Sequence, residues 1–250
     1  ITKPPSRRCV PNWQRCKPMT VATLTHTIKA VAIDLDGTLL DTINDLAAGA
    51  NGMRSRLGMA LLPLDRIKSY VGDGMLSLVK RTLTDSRHDE PDVDLMRQGL
   101  ELFKTCYAEV LSDSSQPFPQ VIDGLHALHN MGLHLACITN KPLRFTEPLL
   151  AASGLAQHFQ LVLGGDSLAE KKPHPLPLQH ACQFFRIQPQ QLVMIGDSEN
   201  DVLAAKNAGS ISFAVPYGYH SGSPLESLGA DYVVTGLVEA AELIKNGLSR

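Results

Sequence analysis

The chain has 250 residues, 44% of them hydrophobic, with 23 basic and 25 acidic side chains and a formal net charge of -2. That length can bury a substantial core as one domain with an insertion or as two modest domains. No apolar run approaches a bilayer span, so no membrane-spanning helix is expected, and the even charge balance argues against a nucleic-acid binder, which shows a basic excess.

In chain order, residues 1–18 carry Lys3, Arg7, Arg8, Arg15 and Lys17 and no acid, with Pro4, Pro5, Pro11 and Pro18 and no apolar periodicity. This composition predicts a disordered extension over 1–25. It lacks the apolar middle of a signal peptide. Met19, just before the first ordered-looking segment, is a candidate for the true start. Cys9, Cys16, Cys106, Cys137 and Cys182 are scattered and form no CxxC. They read as reduced thiols packed as small hydrophobes, which predicts a cytoplasmic protein. The nine histidines are dispersed along the chain, and no zinc site is expected.

Lys29-Ala-Val-Ala-Ile-Asp34 is the first strand signal, a short apolar run closed by charge and glycine. Such runs suit strands buried on both faces. Further runs occupy Leu133–Thr139, Gln160–Gly164, Leu192–Gly196 and Ile211–Val215, with a sixth at Asp231–Val234. Helical patterns separate them at Val121–Met131, Leu143–Ala152, Pro177–Phe185 and Glu199–Ala208, the last closed by Gly209. This alternation predicts an α/β fold, a doubly wound parallel sheet with helices on both faces. From about 44 to 115 only helical patterns occur, such as Met75–Leu83 and Leu95–Leu111. They predict an all-helical cap over 44–115 inserted into a core of 26–43 and 116–250. Its crossings near 43 and 116 are the expected hinges, and an insertion there overlies the carboxyl ends of the strands, where open sheets bind ligands.

Polar residues close three of the core strands: Asp34-Leu-Asp36-Gly-Thr38, Thr139-Asn140-Lys141 and Gly196-Asp197-Ser-Glu-Asn-Asp201. Lys171-Lys172-Pro-His-Pro175 lies between the last two. Taken singly, Asp34 and Asp36 could be turn formers before Gly37, Thr139-Asn140 a cap for the helix from Leu143, and Asp197 a helix N-cap. Lys171 and His174 read as solvated neighbours. Together, Asp34, Asp36 and Asp197 would repel, since two charges about 4 Å apart cost roughly 4 kcal/mol at intermediate dielectric. A divalent cation removes that cost, and an oxygen-only ligand set suits Mg²⁺.

The four motifs, in this order, resemble those of the haloacid dehalogenase superfamily, from about residue 28 to the end of the chain. The resemblance implies a Rossmann-like core with a cap and a phosphatase working through an aspartyl-phosphate. It implies Asp34 as nucleophile and Asp36 as general acid and base. Thr139 and the Asn140 amide would bind phosphoryl oxygens, and Lys172 would offset the charge on Asp34 and the phosphate. Mg²⁺ would be held by the Asp34 and Asp197 carboxylates and the Asp36 backbone carbonyl. Asp201 would hold metal-bound water or Lys172 rather than the metal. Asp36 separates the chain from the dehalogenases, which lack that second aspartate.

Thr139-Asn-Lys-Pro142, Gly164-Gly-Asp166, Tyr217-Gly-Tyr219 and the Val71-Gly-Asp-Gly74 turn resemble the phosphoglycolate phosphatase branch. The implied partner is a small-molecule phosphate ester, 2-phosphoglycolate first. A sugar phosphate such as N-acetylmuramate 6-phosphate, or phosphoryl transfer as in β-phosphoglucomutase, is the alternative. Lys141, Lys80 and Arg81 are the candidate cations for the substrate's far end. A receiver-like phospho-accepting module and a silent binding protein are readings of another class. A receiver is about half this length, and the intact acidic and basic residues speak against a silent protein.

Overall fold

A computed structural model describes residues 27–219 and 229–248. The extension predicted over 1–25, with Met19, Cys9 and Cys16, lies outside the described residues. Six strands form one parallel sheet: β1 (Ala30–Ile33), β4 (His134–Ile138), β5 (Leu161–Leu163), β6 (Leu192–Gly196), β7 (Ile211–Ala214) and β8 (Tyr232–Val233), in the order β5-β4-β1-β6-β7-β8. Every strand of it pairs in parallel with its neighbours. The predicted strands are all present, β6 with its predicted bounds and the others shortened by one residue at one or both ends.

The period of two along each strand sorts side chains onto two faces. Val31, Ile33, Leu135, Cys137, Val193 and Ile195 point into one apolar layer with Leu125 and Leu128 of α5 (Val121–Asn130) and Leu237 and Ile244 of α9 (Leu237–Lys245). Ala30, Ala32, Ala136, Ile138, Leu192 and Met194 point into the other. There they meet Leu178 and Ala181 of α7 (Leu176–Phe185) and Ala204 and Ala205 of α8 (Glu199–Ala208). With α6 (Leu143–Ala152) beside β5, the sheet is covered on both faces, as the buried runs require.

Chain order reverses at β1: β4 and β5 build outward on one side, and β6 begins the other. The carboxyl ends of β4, β1 and β6 therefore share one crevice.

Above that crevice, α1 (Ile43–Arg56), α2 (Leu64–Lys68), α3 (Met75–Thr84) and α4 (Val93–Val110) close around their own core of Leu46, Met53, Ile67, Tyr70, Leu78, Phe103 and Tyr107. Phe145 of α6 packs into the same cluster. The two crossings form a short antiparallel ribbon, β2 (Leu40–Asp41) with β3 (Gln116–Pro117). Two residues per strand are too few to show alternation, so the sequence carried no strand signal there. Asp45 ties the ribbon's exits together, accepting from Ser114 N–H at 2.9 Å and Ser115 Oγ at 2.5 Å. The Tyr219 hydroxyl accepts from the backbone N–H groups of Thr42 and Ile43 at 2.5 and 3.0 Å. No helix among the described residues is long and apolar enough to cross a membrane.

Candidate active site

The strand tips bring Asp34, Asp197 and Asp201 together, one carboxylate oxygen of each lying within 4.8 Å of the others. All three are buried. Asp34 follows β1, Asp197 follows β6, and Asp201 stands in the first turn of α8.

Lys172 enters from the loop before α7 and is 2% exposed. Its ammonium lies 2.9 Å from Asp34, donates to Asp201 at 2.6 Å, and donates to the Ile138 carbonyl at 2.6 Å. One cation thus faces three buried carboxylates. Burial lowers the Lys172 pKa, but Asp201 and then Asp34 outweigh it and hold the group above its usual range. Burial pushes the carboxyl of Asp34 up to about 7 despite Lys172. Burial and then Asp201 likewise push Asp197 up to about 7.

Asp197 is held on both oxygens, by the Thr38 hydroxyl at 3.0 Å and by Tyr219 N–H at 2.6 Å. The approach is so close that a Cβ on Gly37 would collide with the Asp197 carboxylate, and Gly37 also sits at φ +86°. Glycine is required there twice over. Asp201 has both oxygens engaged, one by Lys172 and one by Ser198 N–H and Oγ at 3.0 and 2.6 Å. Asp34 Oδ1, in contrast, is buried and receives no well-formed hydrogen bond beyond its contact with Lys172. An under-satisfied carboxylate oxygen beside a second carboxylate, with excess negative charge and only oxygen ligands, fits a hard divalent cation such as Mg²⁺. Asp34 has an under-satisfied oxygen, and Asp197, with one neutral donor on each oxygen, keeps a lone pair on each to ligate it; Asp201 is paired with the Lys172 cation and takes two donors from Ser198 on its other oxygen.

The Asp36 carboxylate stands apart from this cluster. It accepts from Lys141 Nζ at 3.0 and 3.1 Å and from the Thr42 hydroxyl at 2.6 Å. The Thr139 hydroxyl, buried, accepts from Lys141 N–H at 3.2 Å. The Asn140 side-chain amide donates to the carbonyls of Gly72 and Lys172 at 3.2 and 3.0 Å, which joins the cap turn to the core.

Several local readings need correction. The helix from Leu143 is capped by Asp166, which accepts from Leu143 N–H at 2.8 Å, not by Thr139 or Asn140. Ser198, not Asp197, is the N-cap of α8, since Asp197 already faces the crevice. Lys171 is no solvated neighbour: its ammonium donates to the Asp73 carbonyl at 2.5 Å. Of the cap cations, Lys80 pairs with Glu90, and Arg81 with Asp73 at 2.5 Å and the Tyr70 carbonyl at 2.9 Å. Neither lines the cavity beneath the cap.

That cavity is lined from the core by Asp34, Asp36, Thr139, Asn140, Lys141 and Asp197. Leu46, Val71, Met75, Leu78, Phe103 and Tyr107 line it from the cap. Lys141 is the one cation among its lining residues. Tyr107, Thr38 and the Tyr219 N–H were missed as site groups in the sequence. Only the Tyr217-Gly-Tyr219 string hinted at the last of them.

The raised carboxyls of Asp34 and Asp197 carry a measurable consequence. Their folded values lie above those of the unfolded chain, so the metal-free fold binds extra protons between about pH 4 and 7 and loses stability as pH rises through 7. A cation that binds the ionised pair reverses this loss. The gain in Tm on replacing EDTA by Mg²⁺ is expected to widen from pH 5 to pH 8 by several degrees. Differential scanning calorimetry reads it, and a gap constant with pH contradicts it.

Comparison with known proteins agrees with this geometry. The family model of haloacid dehalogenase-like hydrolases matches residues 31–215. The phosphoglycolate phosphatase of Nitrosospira multiformis is 50% identical over 218 residues, 87% of this chain and 96% of its own. That of Chromobacterium violaceum is 52% identical over 220 residues, 88% of this chain and 98% of its own. A crystal structure of a predicted phosphoglycolate phosphatase from Haemophilus somnus superposes with a TM-score of 0.82 at 31% identity, covering 87% of this chain and 98% of that one. The chain belongs to the haloacid dehalogenase-like hydrolase family.

Proposed function

We propose that this protein is a Mg²⁺-dependent phosphatase that hydrolyses 2-phosphoglycolate to glycolate and phosphate through an aspartyl-phosphate. The observation that carries the chemistry is the Asp34, Asp197 and Asp201 cluster with Lys172 at its centre. The substrate rests on relatives 50% and 52% identical that are named phosphoglycolate phosphatase.

In this reading an Asp34 oxygen attacks phosphorus in line, and the bond from phosphorus to the ester oxygen breaks. Asp36 gives its proton to the departing alkoxide, which leaves as glycolate. Asp36, now ionised, takes a proton from water; the water oxygen attacks phosphorus, and the bond to Asp34 breaks. Asp36 accepts three hydrogen bonds from Lys141 and Thr42, which suits its ionised half of the cycle. Lys172 neutralises Asp34 and the phosphoryl oxygens, while Thr139 and the Asn140 backbone amide hold the phosphoryl group. Asp34, Asp197 and the Asp36 carbonyl would hold Mg²⁺, which when bound offsets the charge on the phosphate and the carboxylates. Helices α1–α4 act as the cap that excludes water, hinged at the β2–β3 ribbon. The buried free thiols of Cys106, Cys137 and Cys182 support a reducing, cytoplasmic setting.

The test is phosphate release from 2-phosphoglycolate, p-nitrophenyl phosphate, N-acetylmuramate 6-phosphate and glucose phosphates, with Mg²⁺ or EDTA. We expect 2-phosphoglycolate to show the highest kcat/KM and EDTA to abolish turnover. A sugar phosphate ahead by tenfold displaces the substrate, and turnover undiminished in EDTA displaces the mechanism.

A further inference from the structure

The cap's wall of the cavity carries a polar group that the phosphoryl chemistry does not use. Tyr107, on α4 of the cap, is 1% exposed, and its hydroxyl makes no well-formed hydrogen bond among the described residues, although the Lys141 ammonium lies close enough to interact with it. Leaving such a group unpaired in the interior costs about 1–3 kcal/mol, a cost that a ligand's acceptor removes. The ring is fixed from three sides. Phe103 stacks on it at 5.5 Å, and Phe145 meets it edge-on at 5.1 Å. Gly49 of α1 lies so close that a Cβ there would come within 2.9 Å of the Tyr107 Cβ.

Lys141 Nζ sits 4.7 Å from the centre of the Tyr107 ring while holding both oxygens of Asp36. An ammonium has three donors, and Asp36 takes two. Burial lowers the Lys141 pKa, but Asp36 and Tyr107 raise it further, so the group is charged.

The spacing of the substrate makes this placement informative. In a phosphorylated two-carbon acid, a single methylene separates the ester oxygen from the carboxyl carbon. The group that protonates the ester oxygen and the group that holds the carboxylate must therefore be neighbours. Asp36 and Lys141 are in contact. The cap's share of the cavity wall includes the apolar Leu46, Leu78 and Phe103, which offer no hydrogen bonds to the hydroxyls of a sugar.

We propose that Lys141 and Tyr107 together form the seat of the substrate's carboxylate, the ammonium supplying charge and the phenol a second hydrogen bond across the boundary between core and cap. This rests on the phosphatase reading and names what sets its substrate. The seat selects short phosphorylated acids. Because Tyr107 comes from the cap and Lys141 from the core, the seat is complete only when the cap is closed.

The experiment compares kcat/KM for 2-phosphoglycolate with that for 2-hydroxyethyl phosphate, which has the same length and a neutral end. The readout is the ratio of the two in wild type, Tyr107→Phe and Lys141→Gln. Tyr107→Phe retains the packed ring, and a thermal melt checks that it folds. We expect the ratio to fall about tenfold in Tyr107→Phe and about a hundredfold in Lys141→Gln, as for hydrogen bonds to a charged group. A merely structural role for Tyr107 lowers both substrates alike and leaves the ratio unmoved. An unchanged ratio in either variant, with wild type still preferring 2-phosphoglycolate, overturns the seat and spares the proposed function. A wild type that prefers the neutral ester overturns the seat and the assigned substrate together.

Discussion

Replacing Asp34 with Asn is expected to lower kcat by about 10⁴-fold or more, since the amide keeps the shape but is no nucleophile. Stability is expected to move the other way. Asp34 is a buried carboxylate whose ionisation burial opposes, and Asp201 and Asp197 add like charge. Removing one charge relieves that repulsion, so metal-free Asp34→Asn should melt at or above the wild-type temperature at pH 8. Loss of function with a gain in metal-free stability marks a group retained for chemistry, at a cost to the fold. A variant that loses activity only because it unfolds would break this pairing, and parallel calorimetry and steady-state assays distinguish the cases.

Lys172→Met has the largest expected structural effect. The substitution leaves a hydrophobic side chain among Asp34, Asp201 and the Ile138 carbonyl, all within 2.9 Å of the lost ammonium. Truncating one partner of a buried ion pair costs about 3–5 kcal/mol, because the remaining charge stays buried and unpaired. For a chain of this size that is a fall in Tm of about 10 °C at pH 7.5. The deficit should shrink toward pH 5, where the stranded carboxylates can protonate. Activity should fall with stability, since Asp34 loses the group that keeps it ionised. A melt of the variant at both pH values is decisive; a deficit equal at pH 5 and pH 7.5 would show that the lost contact was packing.

These effects trace to features that differ in how visible they are in a sequence. The apolar runs of β1, β4 and β6 end in Asp34, Thr139 and Asp197, and parallel strands must deliver their ends to one edge. Convergence therefore follows from order alone. Lys172 and Asp201 were legible through the motif resemblance: the lysine directly precedes Pro173, and Asp201 lies one helical turn beyond Asp197.

What sequence reasoning missed depends on closure in three dimensions. The partner of Lys141 is Asp36, 105 positions away. Tyr107 is one aromatic among the apolar side chains of α4, and nothing in its helical period separates a wall of the cavity from the cap's own core. Lys171 reads as exposed beside a proline, yet the cap turn descends onto it. Asp166 reads as a loop residue, although its carboxylate caps a helix that begins 23 residues earlier in the chain. Each case joins two segments that are silent about one another until the cap sits on the sheet.

In the proposed reaction Asp34 takes up the phosphoryl group beside a divalent ion held by carboxylates from separate strands. Rapid quenching of excess enzyme with 2-phosphoglycolate, followed by peptide mass spectrometry, tests it most directly. With Mg²⁺ a phosphoryl group is expected on the peptide containing Asp34, forming and decaying within one turnover and absent in EDTA. Phosphate released at the full rate with no phosphorylated peptide, or a phosphoryl group on any other residue, would contradict it.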